Sequence, residues 1–214
     1  MTMDPLIDID NVIFDLGGVI VDLDYSLTIR ALSELAGYDI SQQYSQQQQA
    51  DVFSKFEVGN ITVAEFRQGL MQLLGFKAEA DAIDQAWNAL ILNFPRERVE
   101  LLRQLGQRKR IFLLSNINEL HLATVDRKFA TAMGTDIGTL ADQFERVYYS
   151  HLVGDRKPNR SIFQRVIDEN QLTPTQTLFL DDTAHNLVGA QQVGLQTIHI
   201  TQEKPIESLN LLDS

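Results

Sequence analysis

The fold of this chain is indicated by one stretch near its N-terminus, Asn11-Val12-Ile13-Phe14-Asp15-Leu16-Gly17-Gly18-Val19-Ile20-Val21-Asp22. Residues 12–14 form a short apolar run, which is typical of a strand buried on both faces of a parallel sheet. The run ends in Asp15, and the carboxyl end of such a strand is where open α/β sheets bind their ligands. Two glycines follow, and glycine lets a backbone turn sharply and approach a ligand closely. The stretch by itself also fits a strand, a turn and a solvated aspartate, so the rest of the chain has to decide.

Composition limits the function classes. The 214 residues predict one domain, or one domain with a smaller insertion. The formal net charge of -11 opposes binding to nucleic acid or to an anionic membrane, because both need a basic face. The net charge is still compatible with a small anionic substrate, because cations and a metal at the binding site outweigh the overall negative charge there. The chain has no cysteine, which excludes disulfides, thiolate metal sites and cysteine nucleophiles. With no signal-peptide pattern and no apolar run of roughly 18 residues, we expect a cytoplasmic protein.

The spacing of apolar residues divides the chain into two regions. Helical patterns cover 25–36, 52–57, 62–74 and 78–92, and Thr62 with Glu65 forms a capping box. The glutamine-rich segment 41–50 is expected to be an exposed helix face or a loop. From residue 95 helices alternate with strands at 109–114, 146–149, 177–180 and 196–200. This order predicts an α/β fold, a Rossmann-like doubly wound parallel sheet (residues 1–21 and 95–214), with a four-helix-bundle cap domain (residues 22–94) inserted after the first strand.

Polar residues follow the predicted strands at the point where each strand ends. Ser115, the pair Asp181-Asp182 and the loop lysine Lys157 are therefore expected at one sheet edge with Asp15. Clustered carboxylates repel each other unless a cation joins them, and hard oxygen ligands select magnesium. Ser115 at a helix start suits a phosphate group, and Lys157 can pair with Asp15 and a phosphate oxygen. Each residue alone also fits a helix cap or a surface charge, but the repeated placement favours a site.

These segments resemble the four signatures of the haloacid dehalogenase-like superfamily, which consists mostly of magnesium-dependent phosphatases. They are Phe14-Asp15-Leu16-Gly17-Gly18-Val19, Leu114-Ser115-Asn116, Lys157-Pro158 and Phe179-Leu180-Asp181-Asp182. The helical insertion is similar to that family's four-helix cap, so the resemblance covers nearly the whole chain. The segments around Gly17 and 115–121 look most like the branch that contains sugar-1-phosphate phosphatases and the N-terminal phosphatase domain of soluble epoxide hydrolases.

The resemblance implies a role for each matching residue. Asp15 would be the nucleophile, and magnesium would bind Asp15, the backbone carbonyl of Gly17 and Asp182, with Asp181 direct or through water. Phosphoryl oxygens would be held by Ser115, Lys157 and the N–H of Asn116 beside the glycine turn Gly17-Gly18, and Asn186 would orient the site. The implied substrate is a small phosphorylated metabolite, such as a sugar phosphate, for example a hexose 1-phosphate.

One position departs from the family pattern. Most of its phosphatases carry a second aspartate, the general acid and base, two positions after the nucleophile, where this chain has Gly17. Such a proton donor typically increases the rate of the catalysed reaction by ~10²–10⁴-fold. If the chain is an enzyme, it either acts on phosphate esters with a better leaving group or uses Asp22, Asp24 or water as the proton donor. The alternative is a catalytically weakened binding or regulatory protein. A true haloacid dehalogenase fits less well, because that chemistry needs no metal and the paired acids would be a liability.

Several residues have a weaker functional claim. The candidate substrate contacts, which also suit ordinary structural roles, are His121, His185, Trp87, Phe53, Phe56, Glu57 and Asn60.

Overall fold

The computed structural model describes residues 8–41, 51–134 and 136–212. The strands are β1 (Asn11–Phe14), β2 (Arg110–Ser115), β3 (Arg146–Tyr149), β4 (Thr177–Asp181) and β5 (Gln196–His199). The described α-helices are α1 (Tyr25–Ala36), α2 (Asp51–Glu57), α3 (Val63–Leu74), α4 (Ala80–Asn88), α5 (Arg96–Gly106), α6 (Glu119–Met133), α7 (Ser150–Val153), α8 (Arg160–Asn170) and α9 (Ala184–Gln191). Within those three ranges, no helix has the length and apolar character that crossing a bilayer requires.

The five strands form one parallel sheet in the order β3-β2-β1-β4-β5. Phe14 at the end of β1 is in register with Leu113 of β2 and Leu180 of β4. The strand that opens the chain is therefore central, and the carboxyl ends of β1, β2 and β4 meet at one edge. The residues that follow these strands are consequently neighbours in space, as the sequence predicts.

Apolar side chains cover both faces of the sheet. Val12 and Phe14 pack in one buried cluster with residues of α5 and α6, such as Leu102 and Phe129. Ile13, which points the other way, packs in a second cluster with residues of α8 and α9. A strand covered on both faces has no solvated side, which explains its unbroken apolar run. The predicted doubly wound α/β fold is confirmed.

The described helices between β1 and α5 have a hydrophobic cluster of their own, which includes Leu32, Phe66, Leu70 and Trp87. The predicted capping box begins α3, where the Thr62 N–H donates to Glu65 Oε2 over 2.8 Å and the Glu65 N–H donates to Thr62 Oγ1 over 3.3 Å. A separate core agrees with the predicted cap domain. The glutamine-rich positions 42–50 lie outside the described residues.

The chain enters and leaves this helical region through two adjacent segments. The N–H of Asp22 donates to the carbonyl of Asn93 over 3.0 Å, and the N–H of Leu92 donates to the carbonyl of Asp22 over 2.9 Å. This pairing explains why α4 ends at Asn88 although the apolar pattern continues to residue 92. The domain boundaries at 1–21, 22–94 and 95–214 are compatible with this junction and stay a prediction.

Candidate active site

Asp15 lies directly after β1 at the edge of the sheet. Its backbone N–H donates to the Leu180 carbonyl over 2.8 Å, which extends the strand pairing by one residue and fixes the position of the side chain. Its carboxylate and those of Asp181 and Asp182 offer oxygens that all lie within 4.8 Å of one another. The structure thus brings together the three acidic residues that the sequence assigned to a metal.

The Lys157 ammonium lies between two of these carboxylates. Its Nζ is 2.7 Å from Asp15 Oδ1 and 2.7 Å from Asp181 Oδ2, and only 1% of the side chain is exposed. One ammonium against three carboxylates leaves a formal charge of about -2 at the site, counted from the ionised forms of these groups. A divalent cation would neutralise that charge.

The backbone of Lys157 is held by a side chain from another strand end. Asn116 Oδ1 accepts from the Lys157 N–H over 2.9 Å, and Asn116 Nδ2 donates to the Lys157 carbonyl over 2.9 Å. The family resemblance implied the N–H of Asn116 as a phosphate donor and did not indicate this side-chain contact. The two residues lie 41 positions apart, so no local pattern could have shown it.

Asp181 and Asp182 differ in how many of their oxygens are already engaged. Asp181, fully buried, accepts from Lys157, from the Thr183 N–H over 2.7 Å and from Asn186 Nδ2 over 3.0 and 3.1 Å. Asp182 accepts from Thr183 Oγ1 over 3.1 Å. Asn186 thus contacts Asp181, and Asp182 keeps more lone pairs available.

Both glycines of the turn after β1 are closely approached by side chains. Gly18 has φ +68°, and a Cβ built on it would lie 2.2 Å from Asp182 Oδ2. A Cβ on Gly17 would lie 2.6 Å from Leu23 Cδ1. Gly18 is therefore needed for Asp182 to reach the site, and Leu23 occupies the space in which the missing second aspartate would begin.

Burial changes the protonation of these groups. Burial raises the pKa of Asp15 to about 7, with Asp181 and Asp182 adding to the rise and Lys157 opposing it. Burial and the neighbouring Asp181 also raise the pKa of Asp182. For Lys157, burial alone would lower the pKa, but Asp15 and Asp181 outweigh it and raise the pKa. The surplus negative charge is thus costly in this site without a further cation.

A cavity of about 410 Å³ separates this edge of the sheet from the helical region. The predicted site and contact residues that line it are Asp15, Gly17, Ser115, Asn116, Lys157, Asp182, Asn186, His121, His185, Trp87, Phe53, Phe56 and Glu57. Among the described residues, Asn60, Asp22 and Asp24 are not part of this lining. Asp22 accepts from Arg98 over 2.9 Å, and Asp24 caps α1 by accepting from the Ser26 N–H over 2.9 Å.

Two further contacts, which the sequence did not indicate, join the sheet edge to α2. Ser150, directly after β3, donates from Oγ to the Glu57 carbonyl over 2.6 Å and accepts from the Ile117 N–H over 2.9 Å. Arg156 forms an ion pair with the Glu57 carboxylate. Ser150 occupies the same relative place as Asp15 and Ser115, so its position after a buried strand was the available signal.

A comparison with known protein families agrees with this fold and with the order of the site residues along the chain. Residues 9–194 match the model described as haloacid dehalogenase-like hydrolase. The chain belongs to this family. The predicted family membership is thereby confirmed, and the match includes every predicted site residue.

Individual relatives are similar over most of their length. The chain is 28% identical over 189 residues to a D-ribitol-5-phosphate phosphatase from Bacteroides thetaiotaomicron, covering 88% of this chain and 90% of the relative. Among solved structures, the haloacid dehalogenase-like family enzyme BT-2542 from the same organism, in complex with magnesium and inorganic phosphate, has a TM-score of 0.80 at 31% identity, covering 90% of this chain and 94% of the other. A similar family hydrolase from Porphyromonas gingivalis has a TM-score of 0.79 at 28% identity, covering 96% and 95%.

Proposed function

We propose that this hydrolase is a magnesium-dependent phosphatase that cleaves a small phosphomonoester, with Asp15 as the nucleophile. The observation that carries the proposal is the buried Lys157 ammonium, 2.7 Å from both Asp15 and Asp181 at the floor of a cavity. An ammonium in this place can orient the nucleophile and bind a phosphoryl oxygen. The phosphatase relative and the magnesium–phosphate complex of BT-2542 support the same assignment.

The residues present suit magnesium. They offer hard carboxylate oxygens within 4.8 Å of one another, and their charge exceeds that of the single nearby ammonium. Asp15, the carbonyl of Gly17 and Asp182 would hold the ion. Asp181 would act through water, since its oxygens already accept from Lys157, Thr183 and Asn186. When bound, the ion offsets the negative charge that Asp15 and the phosphoryl group bring together.

The chemical steps are assigned to the chain's own residues. A carboxylate oxygen of Asp15 attacks phosphorus, the bond from phosphorus to the ester oxygen breaks, and the alcohol leaves with a proton. The Lys157 ammonium, the Ser115 hydroxyl and the Asn116 N–H donate to the phosphoryl oxygens, on which charge develops. Water then attacks the phosphorus of the aspartyl-phosphate, which releases inorganic phosphate and restores Asp15.

The proton for the leaving alcohol has no carboxylic acid donor at position 17. Leu23 occupies the space there, and Asp22 and Asp24 are engaged away from the cavity. We therefore propose that water supplies the proton to the leaving alcohol.

A phosphate-release screen tests the function. The purified protein is given magnesium and a panel of sugar phosphates, hexose 1-phosphates, polyol phosphates and p-nitrophenyl phosphate. We expect turnover of at least one ester, its loss in Asp15→Asn, and its loss in excess chelator. Asp24→Asn is the matched control and should retain activity, because Asp24 serves as a helix cap. Wild-type protein no faster than Asp15→Asn on every ester would overturn the proposal.

The second candidate is a binding protein with weakened catalysis, which the glycine at position 17 favours. It would bind inorganic phosphate or aluminium fluoride in the presence of magnesium without turning over any ester. Calorimetric titration with aluminium fluoride, run beside the phosphate-release screen, distinguishes the two functions.

A further inference from the structure

The cavity lining contains a histidine held in one orientation. His121, at the start of α6, stacks on Trp87 with ring centroids 4.9 Å apart and an angle of 9° between the rings. Its Nδ1 is 2.8 Å from Asn88 Oδ1. Because an amide oxygen only accepts, Nδ1 carries the proton and Nε2 has a free lone pair. Burial lowers the pKa of His121 to about 3, so the ring is neutral at physiological pH.

This aromatic stack contains two polar atoms that lack partners. His121 lines the cavity, and its Nε2 has no hydrogen-bond partner among the described residues. The Nε1–H of Trp87, which also lines the cavity, is buried and equally without a partner there. Native proteins seldom leave buried polar groups unsatisfied, so the Trp87 Nε1–H indicates that an oxygen-bearing ligand or water completes the wall beside the His121 ring.

The cations of the cavity are already neutralised. The lysine and arginine side chains that line it within the described residues are Lys157 and Arg156. Lys157 contacts Asp15 and Asp181, and Arg156 is paired with Glu57. An ester with a second phosphate or a carboxylate on its alcohol would find no unpaired lysine or arginine in this lining, and it would meet the acidic groups of the site. The wall thus favours an uncharged alcohol.

We propose that His121 is a specificity-determining residue, and that it accepts a hydrogen bond from a hydroxyl of an uncharged, hydroxyl-bearing leaving group, the class of polyol and sugar monophosphates. The proposal rests on the phosphatase function proposed above. Asn88 acts as a positioning residue, since its amide oxygen holds the His121 ring with Nε2 available.

The test measures binding, so it does not require turnover. Asp15→Asn protein with magnesium is titrated with a pentitol 5-phosphate and with n-pentyl phosphate, which has the same chain length without hydroxyls. The fluorescence of Trp87, the single tryptophan, reports binding. The same titrations are repeated with His121→Phe added to the Asp15→Asn protein, a substitution that keeps an aromatic ring and removes Nε2. We expect it to weaken binding of the pentitol ester by about 3- to 10-fold, as for one hydrogen bond, and to leave n-pentyl phosphate within about 2-fold.

His151→Phe is the matched control. His151 also stacks on an aromatic ring, that of Tyr149, and its Nδ1 lies 2.7 Å from the Ile117 carbonyl, but it is not part of the cavity lining. It should leave the preference for the pentitol ester unchanged. An equal effect of His121→Phe on both esters, or no effect on either, would overturn the proposal. Tighter binding of a phosphoglycerate than of the pentitol ester would overturn the choice of an uncharged alcohol.

Wild-type turnover separates the two proposals. If the wild type hydrolyses esters but the preference does not depend on His121, the specificity proposal fails and the phosphatase function stands. If His121 determines binding but no ester is hydrolysed, the phosphatase function fails and the recognition site stands.

Discussion

Replacing Lys157 with methionine tests whether this ammonium balances the buried carboxylates. The lysine is 1% exposed, and its Nζ contacts Asp15 and Asp181 at 2.7 Å each. Methionine keeps an unbranched chain of similar volume and removes the charge. Breaking a buried ion pair by removing one partner costs about 3–5 kcal/mol, because the other charge is left uncompensated. For a protein of this size the melting temperature should fall by about 6–20 °C.

The assay is chemical or thermal unfolding in excess chelator, repeated with magnesium. We expect the variant to regain part of the lost stability with magnesium, because the ion supplies positive charge to the same carboxylates. In an Asp15→Asn background the Lys157→Met substitution should cost less, since one of the uncompensated carboxylates is gone.

Lys55→Met is the control. Lys55 pairs with Asp51 on the surface of α2 and is 49% exposed, so its loss should cost no more than about 1 kcal/mol. A cost for Lys157→Met equal to that of Lys55→Met would refute the electrostatic account of the site. An equal cost of Lys157→Met with and without Asp15→Asn would show that packing, and not charge, explains it.

Three further substitutions test separate parts of the site. Burial raises the pKa of Asp15 from 3.8 to about 7, so the folded protein favours the protonated carboxyl. The stability that this protonation adds is complete below pH 3.8 and is lost as the pH rises through 7. Asp15→Asn should therefore stabilise the metal-free protein more at about pH 8 than at about pH 5, and a melting-temperature difference that is the same at both would contradict this. Gly18→Ala places a Cβ 2.2 Å from Asp182 Oδ2, so calorimetry should show magnesium affinity reduced by about tenfold or more; unchanged affinity would argue against Asp182 as a ligand. Asn116→Leu removes two hydrogen bonds to the Lys157 backbone and should lower kcat/KM about 30-fold, at roughly 1 kcal/mol each; wild-type kinetics would show that this contact does not position Lys157.

The placement of the main site residues was predictable because parallel strands end at one edge. Asp15, Ser115 and Asp181-Asp182 each follow a buried apolar run, and the register of β1 with β2 and β4 brings them together. Lys157 was expected at the same edge because its loop follows the third predicted strand, whereas its contact with Asp181 was not indicated by the sequence.

Contacts made by side chains far apart in the chain were not predictable. The Asn116 amide that holds Lys157, and the Ser150 hydroxyl that binds the Glu57 carbonyl, depend on how loops meet after folding. The same holds for the pairing of the Asp22 carboxylate with Arg98. Sequence spacing locates strand ends, whereas these pairings depend on tertiary packing.

Trapping the phosphorylated enzyme tests the central claim most directly. Wild-type protein with magnesium is mixed with a hydrolysed ester, quenched in acid within one turnover, digested and analysed by mass spectrometry. The account predicts a phosphoryl group on Asp15, absent in Asp15→Asn and in excess chelator. Turnover that proceeds without any phosphorylated Asp15, and that Asp15→Asn retains, would contradict it.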